Sequence, residues 1–145
     1  MKKVIIIIIS ILVIALISII VVTHLGDSKT NYNTDNAKNI LFINYDVETV
    51  NDIDVYFGEE IYYIANINKE DTEYISVQDT EYELVLMVEK GKIKNSKDIT
   101  KNEAILGYKY EKLIYEVKEE SKDGYNYIYY NALDGEQIKK IKINR

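Results

Sequence analysis

The residues best suited by type to chemistry are two carboxylate groups, a set of tyrosines and one histidine. Asp52-x-Asp54 followed by Glu59-Glu60 hints at a calcium loop. An EF-hand loop needs Gly at its sixth position and Glu at its twelfth. Counted from Asp52, those positions hold Phe57 and Tyr63, so the match fails. Asp52 and Asp54 alternate with Ile53 and Val55, which reads as the wet face of a strand. Glu119-Glu120 precedes a turn. General acid–base work needs two carboxylates converging in a pocket, and nothing in the sequence points to that. Serine and threonine nucleophiles lack a base, because the only histidine, His24, lies in a polar tether. No Ser-x-x-Lys and no Gly-rich phosphate loop occurs. There is no cysteine, which removes disulfides, thiolate metal sites and Cys nucleophiles. No catalytic, cofactor or metal site is therefore expected, and the chain reads as a non-enzyme.

Tyrosine makes up 14 of the 16 aromatic residues. Tyr125, Tyr127 and Tyr129 fall on one face of a strand, with Ile128 and Tyr130 on the other. Tyr62 and Tyr63 occupy the corresponding strand of an earlier, similar segment. Such residues serve either as core aromatics with a wet tip or as a protein-binding surface. Tyr62, Tyr63, Tyr125, Tyr127 and Tyr129 are the partner-binding candidates. An exposed last strand, residues 136 to 143, is a second docking candidate, blunted by Lys139, Lys140 and Lys142.

The 145 residues divide sharply by composition. Residues 4 to 22 carry no charge, and 16 of these 19 are Ile, Leu or Val. A helix of that length spans about 28 Å, close to the ~30 Å hydrocarbon core of a bilayer. The run is longer than a signal-peptide core, and no small-x-small cleavage site follows it. Lys2 and Lys3 hold its start in the cytoplasm, so the remainder lies outside. Beyond residue 22 there are 16 basic and 24 acidic residues, a net charge of −8. That balance disfavours nucleic acid and anionic headgroups as partners. Neither a small-molecule substrate nor a cofactor is expected.

Residues 23 to 35 read as a polar tether. A first helix is expected from Asn36 to about Tyr45, capped by Thr34 or Asp35. A second is expected from the capping box Thr100-Lys101-Asn102-Glu103, with Ala104, Ile105 and Tyr108 on one face. Strands are expected at 52 to 57, 60 to 69, 73 to 78, 84 to 89, 113 to 119, 125 to 131 and 136 to 143. Asp123-Gly124 and Asp134-Gly135 mark hairpins between the last three. Ile138 is out of phase with Ile141 and Ile143, which calls for a bulge near Lys139-Lys140. At an offset of 53, the segments 61–63, 73–75 and 83–88 match 114–116, 126–128 and 136–141. The strand at 52 to 57 reads as an addition that the second copy lacks. The fold class is α+β: a transmembrane helix, then two tandem helix-on-sheet units that should pack together, since each of about 55 residues is marginal alone. The divisions are 1–3 cytoplasmic, 4–22 anchor, 23–35 tether, 36–94 first unit and 95–145 second unit.

The second unit, ITKNEAI followed by IYEVKEESKDGYNYIYYNALDGEQIKKIKI, resembles a PepSY-type domain. The first, VNDIDVYFGEEIYYIANINKEDTEYISV, is similar to the domain that precedes it in the TseB-like family, formerly called YpmB. Phe57-Gly58-Glu59 before Tyr62-Tyr63, and Tyr115-Glu116-Val117 before Asp123-Gly124, are the more specific pieces. That family often has Trp where this chain has Ser76 and Tyr115. The resemblance implies two cystatin-like units and a regulator of cell-wall elongation in Gram-positive bacteria. It implies action at the cell membrane through a membrane-bound penicillin-binding transpeptidase. The alternative it implies is a PepSY-type inhibitor or chaperone-like binder of an extracellular peptidase.

Overall fold

The computed structural model describes residues 32–144. The anchor at 4–22 and most of the tether lie outside the described residues, among which no helix is long and apolar enough to cross a membrane. The chain runs α1 (Thr34–Tyr45), β1 (Thr49–Phe57), β2 (Ile61–Lys69), β3 (Thr72–Gln78), β4 (Leu84–Glu89), a 3-10 turn (Lys90–Lys92) and α2 (Ser96–Ile99). It continues with β5 (Ala104–Lys109), β6 (Lys112–Ser121), β7 (Gly124–Asn131) and β8 (Gln137–Asn144). The strands form two antiparallel four-stranded sheets, β1-β2-β3-β4 and β5-β6-β7-β8. The architecture is thus α+β with two sheets and few helices.

Helix α1 buries Ala37 and Leu41, spaced four apart on one face. The helix starts at Thr34, two residues before the expected position. Leu41 joins Val47, Ala65 and Ile67 in a core between helix and first sheet. Ser76 pairs with Ala65 in the ladder and is wholly buried. The residue that stands where the family often has Trp therefore lies on the face that packs beneath α1. A small side chain there lets the helix sit close.

The other face of the first sheet packs on the second. Tyr56, Ile64, Ile75 and Val77 meet Leu113, Ile114, Tyr129 and Ala132 in the larger core. Each fully buried aliphatic side chain of this kind stabilises by about 1.5–3 kcal/mol.

The expected capping box is corrected by the structure. Ala104–Lys109 is strand β5, and the helix before it is the four-residue α2, capped by Asn95, whose Oδ1 accepts from the Lys97 N–H. Thr100 Oγ1 accepts from the Asn102 N–H in a local turn. Pairing decides the outcome: Ala104 lies opposite Val117, Leu106 opposite Tyr115 and Tyr108 opposite Leu113. A strand satisfies its backbone and buries one face at once, whereas a short helix with Gly107 inside it would do neither. The first strand is thus present in both units, and it is the second unit's helix that is reduced.

The repeat is clearer in the ladders than in the letters. Two-residue turns at Glu70-Asp71 and Lys122-Asp123 bring β2–β3 and β6–β7 into correspondence at an offset of 52. Val77 pairs with Leu86 and Gln78 with Leu84, leaving Val85 extra; Tyr129 pairs with Lys139 and Tyr130 with Gln137, leaving Ile138 extra. The fourth strands correspond at 53, because the step from Tyr130 to Gln137 is one residue longer than that from Gln78 to Leu84, and both units carry the same bulge. In the second unit it falls at Ile138, beside the position expected, and it re-phases Ile138 against Ile141.

Candidate interaction surface

The tyrosine face of the second sheet is assembled by three ladders. Ile105, Glu116, Tyr129 and Lys139 lie side by side across β5 to β8. Lys118, Tyr127 and Ile141 form the next row, and Glu120, Tyr125 and Ile143 the one beyond. The last residue of β1, Phe57, closes one end, and a groove of about 300 Å³ lies between it and Ile141 and Ile143, with Tyr127 and Tyr129 in its lining. Phe57 is 62% exposed, Ile105 58% and Ile143 49%. Large apolar groups this exposed mark a surface suited to a protein partner.

Charges on this face are placed against the rings. Lys118 Nζ lies 4.1 Å from the Tyr125 ring centroid and 5.9 Å from that of Tyr127. Lys109 Nζ lies 4.7 Å from the Tyr129 centroid and 3.3 Å from Glu59 Oε1. Burial pulls the Lys109 ammonium down, but Glu59 and the tyrosines outweigh it and hold its pKa above the ordinary lysine value.

The five candidate tyrosines separate by environment. Tyr125 and Tyr127 are half-buried on the open face. Tyr129 is buried, edge-on to Tyr110 at 5.8 Å, and burial raises its pKa, helped by Glu116. Tyr62 packs edge-on against Tyr108 at 4.9 Å, across the two sheets. Its hydroxyl donates to Glu60, and that bond, more than burial, pushes its pKa up to about 12. Tyr63 is buried beside Tyr82 at 5.4 Å. Tyr125 and Tyr127 are the two that the surface presents.

Sequence reasoning passed over Tyr56. It is 3% exposed, and its hydroxyl donates to Glu116 Oε2 at 2.6 Å. Burial, then the Glu116 carboxylate, raise its pKa strongly. A Cβ on Gly107 would lie 2.4 Å from the Tyr56 ring, and one on Gly58 would lie 2.8 Å from it. The ring of β1 therefore lies flush on the backbone of β5, and its hydroxyl fixes Glu116 at the covered end of the tyrosine face. The two glycines were the available signal, but their link to residue 56 is tertiary.

Asp52 and Asp54 are exposed, but the ladder puts them on the same face as Tyr56 and Ile64, the one turned to the second sheet, and not on a separate wet face. Among the described residues no three acidic or histidine side chains gather to hold a metal ion.

Fold and surface together define a class: a tandem pair of small antiparallel sheets, the first backed by a helix, presenting an aromatic face. No family model matches the chain, and no curated protein matches it. Among solved structures, the chain is similar to the YpmB protein from Bacillus subtilis, with a TM-score of 0.66 at 18% identity. The match covers 77% of this chain and 98% of that one. The chain has a YpmB-like fold.

Proposed function

We propose that the protein is a single-pass, membrane-anchored, extracytoplasmic interaction module without enzymatic activity. Its N-terminus is cytoplasmic, and its sheets regulate a cell-wall elongation transpeptidase, a membrane-bound penicillin-binding protein. The observation that carries this reading is the open face of the second sheet, where Phe57, Ile105 and Ile143 are exposed around Tyr125 and Tyr127. An apolar, tyrosine-rich patch on an otherwise acidic chain is how a protein-binding surface is built. The uncharged run at 4–22 supports the anchor. The YpmB-like fold and the quoted motifs support the wall-elongation role.

In-cell photocrosslinking of the full-length protein tests this, with probes at Phe57 and Tyr127 and a control probe at Ile43, which is 77% exposed on α1. Crosslinks to a penicillin-binding transpeptidase from the first two alone are expected. Crosslinks to a secreted peptidase would replace this reading with the inhibitor one. Equal crosslinking from Ile43 would remove the face from the account.

A further inference from the structure

A second groove, of about 540 Å³, runs between the free edges of β1 and β5. It is bordered by the consecutive residues Ala104, Ile105 and Leu106. Three neighbours in a row border a groove only where it follows the strand's edge rather than one of its faces. The tight turn at Tyr110-Glu111 makes Lys109 and Lys112 a hydrogen-bonded pair. Alternation then aims the backbone N–H and C=O of Ala104 and Leu106 away from β6, into the groove. Besides Ala104 and Ile105, the apolar part of the lining is Val55, Ile64, Ile75 and Leu106.

The side chains that line the groove bring carboxylates and no ammonium or guanidinium group. Asp52 and Asp54 line it, and among the described residues neither has a basic partner. Asp52 Oδ1 accepts only from the adjoining Ile53 N–H. Asn66, opposite Asp52 in the ladder, donates its amide to Glu73 Oε1 at 2.8 Å, and Glu73 is held by Lys90 at 2.6 Å. A carboxylate only accepts, so this contact fixes which way the amide points. The Asn66 Oδ1 is left buried with no hydrogen-bond partner. Two unpaired carboxylates, an orphaned acceptor and an open strand edge above an apolar lining call for one kind of occupant.

We propose that this groove binds an extended, basic segment of a protein partner, which adds as a strand to the free edge of β5. Its backbone pairs with Ala104 and Leu106. Its alternate aliphatic side chains cover Ile64, Ile75 and Leu106, and its Lys or Arg side chains meet Asp52 and Asp54. The other free edge of the second sheet, β8, carries Lys139, Lys140 and Lys142 and repels such a segment. This inference goes beyond the tyrosine face and holds whatever protein that face engages.

The test uses the full-length chain in detergent micelles and three synthetic peptides: alternating Lys-Val, alternating Glu-Val, and the Lys-Val composition interrupted by prolines. Binding is read by fluorescence anisotropy, and its location by hydrogen exchange. The Lys-Val peptide is expected to bind and to slow exchange at Ala104 and Leu106. Its affinity should fall about tenfold or more in the Asp52→Asn, Asp54→Asn double variant, whose exposed substitutions leave the fold intact by circular dichroism. The proline peptide, which loses backbone donors, and the acidic peptide should both bind at least about tenfold more weakly. Equal binding of the proline peptide, unchanged binding by the double variant, protection at β8 in place of β5, or no binding of the Lys-Val peptide would each overturn the proposal.

Discussion

Tyr56 donates a hydrogen bond to a half-buried carboxylate from within the junction of the two sheets. Removing the hydroxyl by Tyr56→Phe leaves Glu116 without that donor, a loss of about 1.5–3 kcal/mol for a bond to a charged group. Urea denaturation followed by tyrosine fluorescence, unmixed with tryptophan because the chain has none, measures it directly. The same residue sets the response to alkali. The pKa values of Tyr56, Tyr129, Tyr115 and Tyr108 are all raised, burial being the first cause in each. The unfolded chain releases these protons near the ordinary tyrosine value of 10.0, while the folded chain still holds them. Their stabilising contribution is therefore complete below that value and is lost as pH rises above it. The urea midpoint should fall steadily above pH 10.0, and it should fall less steeply in Tyr56→Phe. An unchanged slope in that variant would show that Tyr56 is not the group responsible.

The elements explain why some of this was legible and some was not. Seven strands follow from alternation and turn residues, because each pattern is local. Asp123-Gly124 marks a real hairpin, but glycine is required there for a reason that the dipeptide does not carry. Gly124 opens β7 at φ +148°, and a Cβ would lie 1.9 Å from the Ile143 carbonyl oxygen. The segment ITKNEAILGYK was misread because Thr-x-x-Glu fits a helix start, whereas its partner β6 lies several residues further on. Asn95→Ala should thus cost about 0.5–2 kcal/mol as the loss of a genuine cap, and Glu103→Ala almost nothing, by thermal denaturation. Gly107→Ala forces a methyl group into the Tyr56 ring and should cost about 1–3 kcal/mol. The penalty should shrink in a Tyr56→Leu background, and full additivity of the two changes would contradict the contact. Ser76→Trp, which restores the residue common in the resembling family, should destabilise the protein, because Ser76 is sealed beneath α1.

At the scale of the whole molecule, the two sheets pack through one shared core and leave part of one face of the second sheet, around Tyr125 and Tyr127, open. The candidate tyrosines were found from a period of two, and that period is right. Which of the two faces stays open depends on where the other sheet lands, which no local pattern states. Tyr63 is buried and Tyr62 is covered by Tyr108. Phe57, the most exposed aromatic, comes from the other sheet and was noticed only as a motif residue. Capture of a penicillin-binding transpeptidase from solubilised membranes, by the full-length protein and by its Phe57→Ser, Ile143→Ser variant, is the most direct measurement of the central claim. Both substituted side chains are about half exposed or more, so the thermal midpoint should hardly move. The account predicts that the wild-type chain captures the transpeptidase and that the variant, equally folded, captures about tenfold less. Equal capture by both, or capture by neither, would contradict it.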